Sequence, residues 1–196
     1  MKSKTLIFTV LAFIQLSALA DKKADLTGTL YCKNKEMQNL STASESNVAD
    51  RIVVQKKYRK LYLMSHGAIL RSYDIAMGPG AALGPKALEG DNKTPEGIYN
   101  VEFKNPKSRY YMALKVSYPN VKDIAYAESK DKSAGNYIMI HGFPTAAIDG
   151  LIPQIVKDQQ HPKINWTRGC MAVTDREIEE IYSLVKEKTT IEICPI

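Results

Sequence analysis

Cys170 stands behind Gly169 in the run Asn165-Trp166-Thr167-Arg168-Gly169-Cys170-Met171-Ala172-Val173. His141 closes the apolar run Ile138-Met139-Ile140, 29 residues earlier. The chain holds only 3 cysteines and 3 histidines, so each is scarce enough to carry meaning. A thiol becomes a strong nucleophile when an imidazole takes its proton, and the pair can pass an acyl group through a thioester. Gly169 removes a side chain beside the thiol. Backbone N–H groups at 169 and 170 could then face a developing oxyanion. The bland alternatives are an inert core cysteine and a satisfied strand-end histidine. No His-x-x-His pair or His-Glu-x-x-His motif is present, and the spacing does not suit a zinc finger, so zinc chemistry is set aside. His66 falls in a hairpin-like turn and His161 precedes Pro162, and both are expected to face solvent.

The elements that must position this pair read as mainly β. Ile52-Val53-Val54, Lys60 to Met64 and Ala68 to Ala76 form three closely spaced antiparallel strands. Lys56-Lys57 and Arg59-Lys60 around Tyr58 read as a solvated strand edge. Residues 78–92 carry 4 glycines and 2 prolines and read as loop, with at most a turn of helix between Ala81 and Leu88. Strands follow at Ile98 to Phe103, at Tyr110 to Val116 and at Asn136 to His141. Val121 to Lys132 is read as short helix or exposed loop. The stretch 142–164 is mostly insertion, with a short helix over Ile152 to Gln159. Thr174 with Glu177 makes a capping box ahead of Ile178, Ile181, Tyr182 and Val185, which predicts an amphipathic helix from Asp175 to Glu187. Thr189 to Ile193 is a last strand.

The N-terminus indicates export. Lys2 and Lys4 precede an apolar stretch from Thr5 to Leu19, and Ala18-Leu19-Ala20 places small residues before Asp21. This is the pattern of a cleaved signal peptide over residues 1–20, followed by a lead-in over 21–49 and one folded domain over 50–196. The envelope, a periplasm for instance, is the expected location. The chain of 196 residues, 44% hydrophobic and 24% charged, suffices for one core and is not disordered by composition. Loss of Lys2 and Lys4 lowers the net charge from +6 to +4. That balance suits an anionic wall polymer or transient contact with an anionic membrane. No basic cluster is dense enough for nucleic acid. A monomer is expected. In an oxidising compartment thiols tend to pair. Cys32 and Cys194 lie near the two ends of the mature chain, and their pairing would leave Cys170 as the free thiol.

The motifs resemble the L,D-transpeptidase (YkuD, or ErfK-type) catalytic domain. Ile138-Met139-Ile140-His141-Gly142 and Trp166 to Val173 carry the resemblance, together with Gly90-Asp91-Asn92-Lys93-Thr94-Pro95-Glu96-Gly97-Ile98-Tyr99, which is similar to the family's upstream signature. It runs from about residue 50 to 194. The resemblance implies a mixed β-sandwich-like fold and peptidoglycan chemistry without a cofactor. Cys170 would attack the bond after the third residue of a tetrapeptide stem, D-alanine would leave, and an amine of another stem or of a wall-linked lipoprotein would resolve the thioester. Water as acceptor would make the protein a carboxypeptidase, or a hydrolase of lipoprotein links. His141 would serve as base and acid, Gly169 would frame the oxyanion site, and Thr167 fills the family's Ser/Thr position. Two positions depart from the family pattern. Arg168 replaces the usual histidine before the glycine, and Ala172 replaces the usual arginine two residues after the cysteine. Arg168 could supply the lost positive charge to substrate, and Trp166 could face a sugar or stem. A non-catalytic wall-binding domain remains the contrasting reading.

Overall fold

A computed structural model describes residues 31–32, 48–146 and 161–196. The expected leader, most of the lead-in and the expected helix over residues 152–159 lie outside them. Eight strands form one mixed sheet: β1 (Ala49–Gln55), β2 (Lys60–Ser65), β3 (Ala68–Asp74), β4 (Gly97–Ser108), β5 (Tyr111–Val116), β6 (Met139–His141), β7 (Met171–Ala172) and β8 (Val185–Cys194). Their spatial order is β3-β2-β1-β8-β4-β5-β6-β7. The pairs β1–β8 and β6–β7 are parallel and the others antiparallel. Ala76, just beyond one edge strand, bridges to Ala172 in the other. The sheet therefore curls until its two edges meet, and one curled sheet does the work of a sandwich's two layers.

Strand composition explains the curl's interior. Ile52 and Val54 on one face of β1 join Leu61, Leu63, Tyr99, Leu114, Ile140 and Met171 in the main core. The intervening Val53 points the other way, as strand alternation requires, and packs with Tyr62, Met64 and Cys194. That second, smaller cluster needs its own cover, and Tyr31 and Cys32 supply it. Two helices among the described residues complete the domain: α1 (Val121–Glu128) and α2 (Asp175–Leu184). The Thr174–Glu177 capping box forms as expected, and Ile178 and Ile181 seat α2 on the core. The helix stops at Leu184, where Val185 turns extended and begins β8.

The basic run between β1 and β2 is solvated at Lys57 and Tyr58 but not at Lys56. Lys56 is 1% exposed, and its ammonium pairs with Glu96 at 2.5 Å while also donating to the carbonyls of Gly84 and Thr94. A buried ammonium is tolerable only with such partners. The Arg59 guanidinium donates to the Pro162 carbonyl and to Asn165 Oδ1, tying the segment ahead of the cysteine to the β1–β2 turn.

A disulfide joins Cys32 to Cys194 across 162 residues of sequence. Beside it, the fully buried Glu192 carboxylate accepts the N–H groups of Tyr31 and Cys32 at 2.8 and 2.7 Å and pairs with Arg51 at 3.2 Å. Closing so long a loop restrains the unfolded chain strongly. Replacing both cysteines by serine should lower unfolding free energy by about 2–5 kcal/mol. Denaturant melts of the two proteins measure this, and superimposable curves would contradict it.

Candidate active site

Parallel pairing of β6 and β7 sets Ile140 opposite Met171 and His141 opposite Ala172. Cys170 thus enters β7 two residues before the partner of His141. Strand alternation sends both side chains to the same face, one pleat apart. The Cys170 sulfur donates to the Tyr137 carbonyl at 3.5 Å, and the backbone N–H of Met139 is directed to it. Cys170 is the free cysteine of the described residues and is partly exposed.

His141 is 1% exposed. Its Nδ1 lies 2.7 Å from the Gly142 carbonyl. A carbonyl can only accept, so Nδ1 carries the proton and neutral His141 keeps its lone pair on Nε2. Tyr110 stacks on the imidazole at 4.3 Å and Trp166 meets it edge-on at 5.7 Å. Gly142 admits α2 at close range: a Cβ there would lie 2.7 Å from Asp175 Oδ1, the oxygen that accepts the Phe143 N–H. The start of α2 and the end of β6 therefore fix each other.

Desolvation favours the neutral form of both side chains. Desolvation lowers the His141 pKa to about 4, against a smaller opposing effect from its Gly142 hydrogen bond. Desolvation raises the Cys170 thiol to about 11, opposed by the Met139 N–H and by the nearby Lys86 and Lys115. Both shifts favour thiol and imidazole over thiolate and imidazolium. Direct alkylation by iodoacetamide, which needs thiolate, should accelerate about tenfold per pH unit above neutrality and level off only near 11. A plateau close to neutral pH would instead reveal a preformed ion pair.

The loop carrying the upstream signature packs directly on the cysteine turn. Asp91 organises that loop: its carboxylate accepts from the N–H groups of Ala87, Leu88 and Lys93 and pairs with buried Lys86 at 2.9 Å. Thr94 then donates its hydroxyl to the Gly169 carbonyl at 3.0 Å. Gly169 has φ +120°, and a Cβ on it would lie 2.4 Å from the Lys93 carbonyl. Gly78 is wedged just as tightly between the Asn92 and Thr167 carbonyls.

Thr167 closes the turn. Its hydroxyl donates to the Cys170 carbonyl at 2.7 Å and accepts the Gly169 N–H at 3.2 Å. The Gly169 N–H, expected to face an oxyanion, is engaged by Thr167. Trp166 contacts the imidazole and also approaches Tyr110 at 6.4 Å. Arg168 is exposed and lines the concavity of about 280 Å³ beside Cys170, together with Lys86, Glu89, Asn92 and Tyr137. Ala172, where the family pattern has arginine, is fully buried and exchanges two backbone hydrogen bonds with Ala76.

Two expectations change. His161 is half-buried rather than in solvent. Phe143 packs edge-on to it at 4.9 Å and the Trp166 indole N–H approaches its Nδ1 at 3.5 Å. The strand expected from Asn136 begins only at Met139, because Tyr137 takes φ +56° and breaks the extended run. That kink places the Tyr137 carbonyl at the thiol. Tyr137 and Glu89 were not singled out from sequence, and neither carries a motif that would have marked it.

The L,D-transpeptidase catalytic domain family YkuD matches residues 49–193. The Escherichia coli (strain K12) protein named "Putative L,D-transpeptidase YafK" is 34% identical over 119 residues, which are 60% of this chain and 37% of YafK. The helical cell shape determining protein Pgp2 from Campylobacter jejuni is similar in fold, with a TM-score of 0.52 and 24% identity over 76% of this chain and 51% of Pgp2. The K307A mutant of Pgp2 aligns at 25% identity with the same TM-score. The chain thus spans about half of Pgp2 and a little over a third of YafK.

Proposed function

The chain belongs to the YkuD family of L,D-transpeptidase catalytic domains, and from that premise we propose that it is an exported acyltransferase of the cell wall, with Cys170 as nucleophile and His141 as its base. The family acts on peptidoglycan stem peptides. The observation that most supports the assignment is the tautomer of His141. A carbonyl-anchored Nδ1–H leaves Nε2 as a proton acceptor on the strand next to the chain's free thiol.

In this reading a tetrapeptide stem enters beside Arg168, Glu89 and Tyr137. The Cys170 sulfur attacks the carbonyl of the third residue as its proton passes to His141 Nε2. No thiolate needs to accumulate, which suits a thiol held near 11 beside an imidazole held near 4. The tetrahedral intermediate collapses with loss of D-alanine, whose amine takes the proton from His141, and a thioester remains. An acceptor amine attacks the thioester, gives a proton to His141, and the sulfur leaves to be reprotonated. Low-barrier access for water would turn the same thioester into a free tripeptide.

Mass analysis of products from purified tetrapeptide muropeptides tests the assignment. Cross-linked dimers are expected. Tripeptides alone would assign hydrolysis with the same cysteine. No turnover of either tetrapeptides or lipoprotein-linked stems would remove the catalytic reading and leave wall binding.

A further inference from the structure

When a thiol attacks a carbonyl, negative charge develops on the sulfur and then on the carbonyl oxygen. The Met139 N–H is directed to the Cys170 sulfur, but the Gly169 N–H is already engaged by Thr167. Two buried lysines accompany these donors. Lys86 lines the Cys170 concavity, and Lys115 lies on β5 opposite Met139.

The two ammonium groups are neutralised unequally. Lys86 donates to Asp91 and to the Leu88 carbonyl, each at 2.9 Å, and the Asp91 side chain is only 16% exposed. Lys115 meets three acceptors: the Val116 carbonyl at 2.7 Å, the Tyr118 carbonyl at 3.0 Å and Glu102 Oε2 at 3.1 Å. Three acceptors call for three N–H donors, which an ammonium has and a neutral amine lacks. The Lys115 side chain is 4% exposed, whereas that of its counter-ion Glu102 is 51% exposed. Water screens the carboxylate far more than the ammonium, so positive potential is left inside the domain. The Lys115 ammonium lies 5.8 Å from the Tyr137 ring, and the Tyr137 carbonyl accepts from the Cys170 thiol. Desolvation dominates the thiol and raises its pKa, whereas the Met139 N–H, Lys86 and Lys115 act the other way. The other charged groups about the concavity, Glu89 and Arg168, are exposed.

We propose that Lys115 is a positioning residue for the reaction: acting across Tyr137, its buried ammonium stabilises the negative charge that Cys170 acquires as it ionises. Lys86 adds to the same potential, but it also holds Asp91 and through it the signature loop. Lys115 is thus the cleaner place to test the charge. The proposal rests on Cys170 being the nucleophile of the wall-enzyme reading, and the test reads the thiol itself.

Iodoacetamide alkylation of the full chain, followed against pH, provides that test. Lys115→Met removes the charge and keeps most of the side-chain volume. At about pH 8 it should alkylate about threefold or more slowly than the native protein, with its rate profile displaced to higher pH. Glu102→Gln shifts the balance the other way. Glu102 is exposed, so water can take its place on Lys115 Nζ, and alkylation should quicken by about twofold at low ionic strength. Opposite signs mark a field, since a packing defect would loosen the site in both variants. Profiles that coincide with native, or that move together in one direction, would overturn the proposal. If thermal melting shows that Lys115→Met does not fold, Glu102→Gln decides alone: displacement to lower pH supports the field, and an unmoved profile overturns it. In D-alanine release, Lys115→Met should lower kcat by about threefold or more with KM changed by less than about twofold. Native protein that releases no D-alanine but shows the displaced profiles would remove the acyl-transfer assignment and leave the Lys115 field standing. Release with unmoved profiles would do the reverse.

Discussion

Replacing Cys170 by alanine should reduce acyl transfer by about 10⁴-fold or more, and replacing His141 by glutamine should cost about 10²–10⁴-fold. The two losses arise differently. Without the sulfur there is no thioester, and no residue beside it can substitute. Without the imidazole the sulfur survives, but it must ionise unaided, and its pKa near 11 leaves very little thiolate at neutral pH. The glutamine variant should therefore recover part of its activity as pH rises, while the alanine variant stays inactive throughout. Glutamine can still donate to the Gly142 carbonyl and fill the space under Tyr110, so the loss should not be a folding defect. D-Alanine release followed against pH for both variants checks this. Glutamine and native proteins with parallel pH profiles would show that His141 only packs.

Cys170 and His141 stand out in sequence because their residue types are rare, and the fold sets them on adjacent strands. The helix cap at Thr174 was legible for a local reason: Thr174 and Glu177 satisfy each other's backbone, so four residues of sequence suffice. What sequence did not convey depends on contacts distant along the chain. Lys56 reads as a surface lysine until Glu96, 40 residues later, is brought against it. His161 reads as exposed until Phe143 and Trp166 close around it. Tyr137 belongs to a run with strand composition, yet its positive φ is imposed by its surroundings. That one dihedral decides which carbonyl meets the thiol.

The upstream signature and the cysteine motif pack against each other. Composition marks residues 90–99 only as a turn-rich loop. In the fold, Asp91 shapes the loop, Thr94 reaches the Gly169 carbonyl, and the Lys93 carbonyl occupies the space where a side chain on residue 169 would lie. The signature is a mould for the cysteine turn. In this chain the two separated motifs meet at a single site.

Gly169→Ala should follow from that mould as the most damaging single methyl group in the site. The added Cβ would stand 2.4 Å from the Lys93 carbonyl oxygen and 3.2 Å from the Ile138 side chain. The first contact is with backbone, which cannot rotate away. The φ of +120° is in addition one that alanine rarely adopts. Either the signature loop retreats, breaking the Thr94 bond, or the turn relaxes and swings Cys170 away from the Met139 N–H. Both routes displace the sulfur, and a displacement of about 1 Å can cost about 10²-fold in rate. The strain itself should lower unfolding free energy by about 1–3 kcal/mol. Paired measurements separate the two consequences: D-alanine release for the site and denaturant melts for the fold. Full activity with an unchanged melt would show that the turn does not depend on the loop that packs against it. Thr94→Val, which keeps the volume and removes only the hydroxyl that bonds the Gly169 carbonyl, should fall between native and Gly169→Ala on both scales, since it loosens the same contact without forcing a clash.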